Sequence, residues 1–107
     1  MDRATWKASE REFAEKLGGT RVPVNGRQRG SAPDIEHTFW AIEHKAGVML
    51  SARMQEALDQ AQKSAIGTTK TPLVTIDHMR GRGKARIQVV MLTLTDFVAL
   101  TEMAGLA

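Results

Sequence analysis

Residues 33–45 read Pro33-Asp34-Ile35-Glu36-His37-Thr38-Phe39-Trp40-Ala41-Ile42-Glu43-His44-Lys45. Asp34 to His37 and Phe39 to Ala46 predict two strands joined by a tight turn near Thr38. Side chains alternate along a strand, so Ala41, Glu43 and Lys45 share one face and Trp40, Ile42 and His44 the other. A tight hairpin brings Asp34, just behind Pro33, close to Glu43. Carboxylates that converge repel one another unless a cation lies between them, and hard divalent ions prefer oxygen ligands. A lysine beside them can orient a water or offset charge on a phosphate. Taken alone, the pattern reads equally as a salt-bridged hairpin, Glu43 with Lys45.

Upstream, Thr5 to Leu17 predicts a helix. Trp6, Glu10, Phe13 and Leu17 fall on one face of it, Glu12 and Glu15 point elsewhere, and Gly18-Gly19 supplies the stop. A carboxylate on an apolar stripe is costly unless paired, so Glu10 reads either as a stripe-edge group reaching water or an arginine, or as a ligand. Arg21 to Val24 is short and extended, and Asn25 to Ser31 has the composition of a loop. Downstream, Ser51 can cap a helix over Ala52 to Ala65, with Met54, Ala57, Leu58, Ala61 and Ala65 as its apolar stripe and Gly67 ending it. Pro72 to Asp77 and Arg86 to Leu94 predict strands around a Gly-Arg-Gly turn at Met79 to Lys84. Thr95 can cap a last helix, Asp96 to Ala104. The order α-β-β-β-α-β-β-α predicts an α/β protein, a mixed central sheet flanked by helices, in a single domain over residues 1–107.

At 42% hydrophobic and 25% charged residues the 107-residue chain is globular in composition, not disordered or fibrous. It has no cysteine, which excludes disulfides, cysteine-based zinc sites and a cysteine nucleophile. No apolar run is long enough to span a bilayer, and a soluble, cytoplasmic protein is expected. The net charge of +3 is uneven. Arg21, Arg27 and Arg29, then Arg80, Arg82, Lys84 and Arg86, lie in two stretches free of acid and hold seven of the fifteen basic residues. The other eight oppose twelve acids, a balance of −4. Two basic loops on a mildly acidic body suit either plain solvation or contact with phosphates. His37, His44 and His78 lack metal-ligand spacing, no Gly-Lys-Ser/Thr phosphate loop follows a strand, and five aromatic residues are few for a base-stacking platform.

Pro33-Asp34 followed by Glu43-His44-Lys45, behind a helix bearing Glu10-Arg11-Glu12, resembles the PD-(D/E)XK nuclease signature. Across roughly residues 5 to 100 the chain is most similar to archaeal-type Holliday junction resolvases, with Arg21-Val22-Pro23, Ile42-Glu43-x-Lys45, Leu50-Ser51 and the Pro72 to Ile76 strand also fitting. The resemblance implies a restriction-endonuclease-like fold and metal-dependent hydrolysis of branched or four-way-junction DNA by a homodimer. It implies that Glu10, Asp34 and Glu43, with the His44 main-chain carbonyl, hold Mg²⁺ or Mn²⁺ while Lys45 assists the attacking water. Arg11, Arg21, Arg27, Arg29 and Ser31 correspond to DNA-contacting positions, and the Arg80, Arg82 and Lys84 loop is expected to join them. Gln55 or Gln62 stands where related nucleases carry a glutamine that orients the lysine or a phosphate. Two features depart from the family: the Asp34-to-Glu43 interval is short, and His44 replaces an apolar residue, pointing away from the site toward a partner or solvent. A compact resolvase of this kind fits a viral or mobile-element source, acting in the host cytoplasm.

Overall fold

The structure, a computed structural model, describes residues 3–22 and 33–106. Its elements run α1 (Arg3–Leu17), β1 (Thr20–Arg21), β2 (Ile35–Glu36), β3 (Ala41–Ile42), α2 (Ala52–Ala65), β4 (Val74–His78), β5 (Ile87–Met91) and α3 (Leu94–Met103). The chain divides into two compact units, one taking in residues up to Met49 and again from Thr101, the other Leu50–Leu100.

In the first unit α1 ends where Gly18 turns to φ 74°, a value open to glycine at little cost. The Gly18 N–H bonds the Glu15 carbonyl at 3.2 Å and the Gly19 N–H bonds the Ala14 carbonyl at 2.8 Å, a closure that satisfies the last carbonyls of the helix. Gly19 is required for a second reason: a Cβ there would lie 2.7 Å from both the Glu36 carbonyl oxygen and Ile35 Cγ2. The helix therefore feeds directly onto a three-stranded antiparallel sheet of order β1-β2-β3, registered by Arg21↔Ile35 and Ile35↔Ile42. Among the described residues, Ile35, 0% exposed, and Ala14 of α1 are its buried apolar residues.

The second unit opens with Ser51, whose Oγ accepts the Met54 N–H at 3.2 Å and caps α2. The stripe expected on α2 is its half-buried face. β4 and β5 pair antiparallel from Val74↔Met91 to His78↔Ile87, and their loop tightens where the Lys84 N–H bonds the Gly81 carbonyl. The cap of α3 is Thr93 rather than Thr95: Thr93 Oγ1 accepts the Asp96 N–H at 3.2 Å and its carbonyl the Phe97 N–H at 2.9 Å.

The order of elements is the expected one. The single mixed sheet is not formed among the described residues: β1–β3 and β4–β5 are separate antiparallel sheets. Two-residue strands offer few ladder bonds with which to recruit a distant neighbour. The expected strand over 39–46 contracts to Ala41–Ile42, and the turn between β2 and β3 takes up residues 37–40. Of the stretch expected to be extended over 21–24, Arg21 lies in β1 and residues 23–24 lie outside the described residues.

Candidate metal and phosphate site

Strand β3 stops at Ile42, yet the backbone beyond it is held. The Asp34 N–H bonds the Ile42 carbonyl at 3.0 Å, and the Asp34 carboxylate accepts the His44 N–H through Oδ2 at 2.7 Å. A side-chain oxygen thus supplies the acceptor that a longer β2 would have given from its main chain, and the charge strengthens the bond. This couples Pro33-Asp34 to Glu43-His44-Lys45 in space. Glu43 and Lys45 are exposed on either side of a buried His44, the alternation expected of an extended segment.

His44 departs from expectation. Its ring does point away from Glu43 and Lys45, but it turns inward rather than to solvent: it is 7% exposed and packs on α1. Its ring centroid lies 4.8 Å from that of Phe13, and its Nε2 shares a 3.0 Å hydrogen bond with Ser9 Oγ. An imidazole can lie on the apolar side because a hydroxyl satisfies its polar atom. Alternation gave the direction of His44; that Ser9 and Phe13, four residues apart on α1, receive it was the missed signal.

Glu10 is fully buried at 0% exposure. Its Oε1 lies 2.7 Å from Arg21 Nε, whose side chain is 18% exposed. The contact is ionic without hydrogen-bond alignment, since among the described residues neither Glu10 oxygen accepts a hydrogen bond and the Arg21 Nε–H donates none. Arg21, expected at the DNA, is thus engaged inward.

The other expected residues fall in three groups. Arg11 is exposed on α1, and Arg80, Arg82 and Lys84 are exposed on the β4–β5 loop, while Arg86 is tied to Asp77 at 2.9 Å across the hairpin. Gln62 is exposed on α2, and the Gln55 amide donates to the Leu50 carbonyl at 2.7 Å, which anchors the start of α2. Arg27, Arg29 and Ser31 lie outside the described residues.

For a hard divalent cation the donor types of Glu10, Asp34, Glu43 and the His44 carbonyl are right, and the unbonded buried oxygens of Glu10 are groups that a cation satisfies. Among the described residues, no three of His, Asp or Glu stand close enough to hold an ion together. The structure joins Asp34 to the His44 backbone and Glu10 to Arg21, and leaves these two pairs ungathered. A separate open cleft of about 600 Å³ borders the hairpin turn, lined by Thr20, Glu36, His37 and Trp40 among others. Among the described residues that line it, the charged one is the carboxylate of Glu36. No helix among the described residues is long and apolar enough to cross a membrane. Comparison with known protein families, curated proteins and solved structures finds no match for this chain.

Proposed function

We propose that this chain is a divalent-metal-dependent, structure-selective DNA endonuclease with a restriction-endonuclease-like core, hydrolysing phosphodiester bonds in branched DNA. The observation that carries the reading is the 2.7 Å bond from the His44 N–H to Asp34 Oδ2, which ties the two halves of the Asp…Glu-x-Lys pattern together beside exposed Glu43 and Lys45. Glu10, Asp34, Glu43 and the His44 carbonyl would hold Mg²⁺ or Mn²⁺. When bound, such an ion polarises a phosphoryl oxygen and acidifies water. Lys45 orients the attacking water and offsets charge on the phosphate. Arg11, Arg80, Arg82 and Lys84 grip backbone phosphates without reading bases, so selection is by DNA shape. A twofold dimer, matched to the symmetry of a four-way junction, joins through the uncharged strand β5.

The test is cleavage of a synthetic four-way junction and of linear duplex of the same sequence, with Mg²⁺ or Mn²⁺. Junction cutting that is lost in Asp34→Asn and Lys45→Ala is expected. Asn keeps an oxygen acceptor for the His44 N–H, so the first variant should stay folded. Equal cutting of linear duplex would move the reading to a repair or restriction-like nuclease. The closed Glu10–Arg21 pair favours a second reading, a DNA-binding module without catalysis on the same fold. Binding without cutting under every metal condition would establish it and overturn the first.

A further inference from the structure

A buried carboxylate ordinarily accepts several hydrogen bonds, having about four lone-pair sites. Glu10 accepts none among the described residues, although it is 0% exposed. Arginine usually meets a carboxylate through two parallel N–H···O bonds. Here the close contact is one nitrogen, Nε, at 2.7 Å and out of line. Arg21 therefore neutralises Glu10 without satisfying it. Removing two charges from water is repaid only when geometry is good and the remaining lone pairs find partners. The pair is consequently open to exchange for a cation that binds both oxygens.

The geometry points to Arg21 as the resting counter-ion of Glu10, one that a divalent cation must displace to reach the carboxylate. This rests on the proposed role of Glu10 as a metal ligand and adds to it a competitor built into the chain. Mg²⁺ is commonly held by one or two carboxylates and keeps several waters, so Glu10 suffices as its first anchor. The Arg21 side chain is 18% exposed, so the space it vacates opens to solvent. Once released, the guanidinium at the end of β1 is free for a phosphate, the role its position in the resemblance implied. Arg21 thus alternates between two anions, and loading of metal at Glu10 favours the outward state.

Mn²⁺ binding is measured by calorimetry on wild type, Arg21→Gln and Arg21→Gln/Glu10→Gln, alongside thermal unfolding with Mn²⁺ or with KCl of equal ionic strength. Arg21→Gln should bind Mn²⁺ about tenfold tighter or more than wild type, the effect of removing a competing charged contact. It should also gain more thermal stability from Mn²⁺, and Glu10→Gln should cancel both gains. Should Arg21→Gln be unfolded without metal, Mn²⁺-dependent recovery of its helical signal is the same readout, and failure to recover counts against the inference. Affinity no tighter than wild type, or a gain that survives Glu10→Gln, overturns it. Wild type that cuts junctions while Arg21→Gln binds no tighter would sink the competition and leave the nuclease standing. Tighter binding by Arg21→Gln in a protein that never cuts would do the reverse.

Discussion

His44 shows how one side chain can serve two neighbours. Its backbone N–H is held by Asp34 and its ring by Ser9 and Phe13, so it ties the end of β3 to both β2 and α1. Ser9→Ala removes the hydroxyl and strands a buried ring nitrogen. A loss of about 1–3 kcal/mol is expected in urea unfolding, with Glu43 and Lys45 displaced only indirectly. Glu12, by contrast, sits in water beside Lys16 at 2.8 Å. The hydrogen bond from Lys16, and then its charge, hold the Glu12 carboxyl below the usual range. With the folded pKa depressed, the stabilisation is present above the unfolded pKa and lost as pH falls through the folded one. A helix signal followed during acid titration should carry a small step in that window that Glu12→Gln lacks. The sequence revealed that Glu10 shares the face of Trp6 and Phe13. It could not reveal that Arg21 meets Glu10 at 2.7 Å, because that contact depends on the register of β1 against α1.

Among the elements, α2 was legible to the residue, Ala52–Ala65, because it carries its own signals: a serine cap, a stripe at helical spacing and a glycine just beyond. The strands of the first unit carry no such marks. Their limits are set by where a partner strand ends, which local pattern does not encode, and so β3 ends before the Glu-x-Lys residues expected within it. The last helix was misplaced by two residues because Thr93 and Thr95 are chemically equal caps, and packing decides between them. The α1–β1 joint is the least forgiving of these elements. Gly19→Ala puts a methyl 2.7 Å from a carbonyl oxygen and from a core isoleucine. Backbone must shift to admit it, and destabilisation of about 1–3 kcal/mol is expected in chemical denaturation, with the far-UV signal of α1 retained.

At the scale of the whole molecule, the +3 of the chain is spread over sites of different availability. Arg86 is spent on Asp77 and Arg21 on Glu10, whereas Arg80, Arg82 and Lys84 face water. Replacing those three with alanine should lower DNA affinity and flatten the slope of log affinity against log salt by about 2 to 3, as each lost phosphate contact removes about 0.9. The β4–β5 hairpin carries apolar side chains outward as well, Val90 being 60% exposed. A two-stranded ribbon is marginal in water by itself, and an uncharged edge invites pairing. Sedimentation should find wild type dimeric and Val90→Lys monomeric; a wild-type monomer would remove β5 as the dimer surface.

The division of the chain has a consequence in time. One unit is contiguous, Leu50–Leu100, while the other is split, its last piece beginning at Thr101. On a ribosome the contiguous unit has all of its residues before the split one does. The half of the molecule that carries Glu10, Asp34, Glu43 and Lys45 must therefore wait for the residues from Thr101 onward, and it closes by joining segments about fifty residues apart, a step that pays loop entropy before contacts repay it. Pulse-labelled amide exchange during refolding should protect Val74–His78 before Ile35, so the candidate site is the last part of the protein to mature.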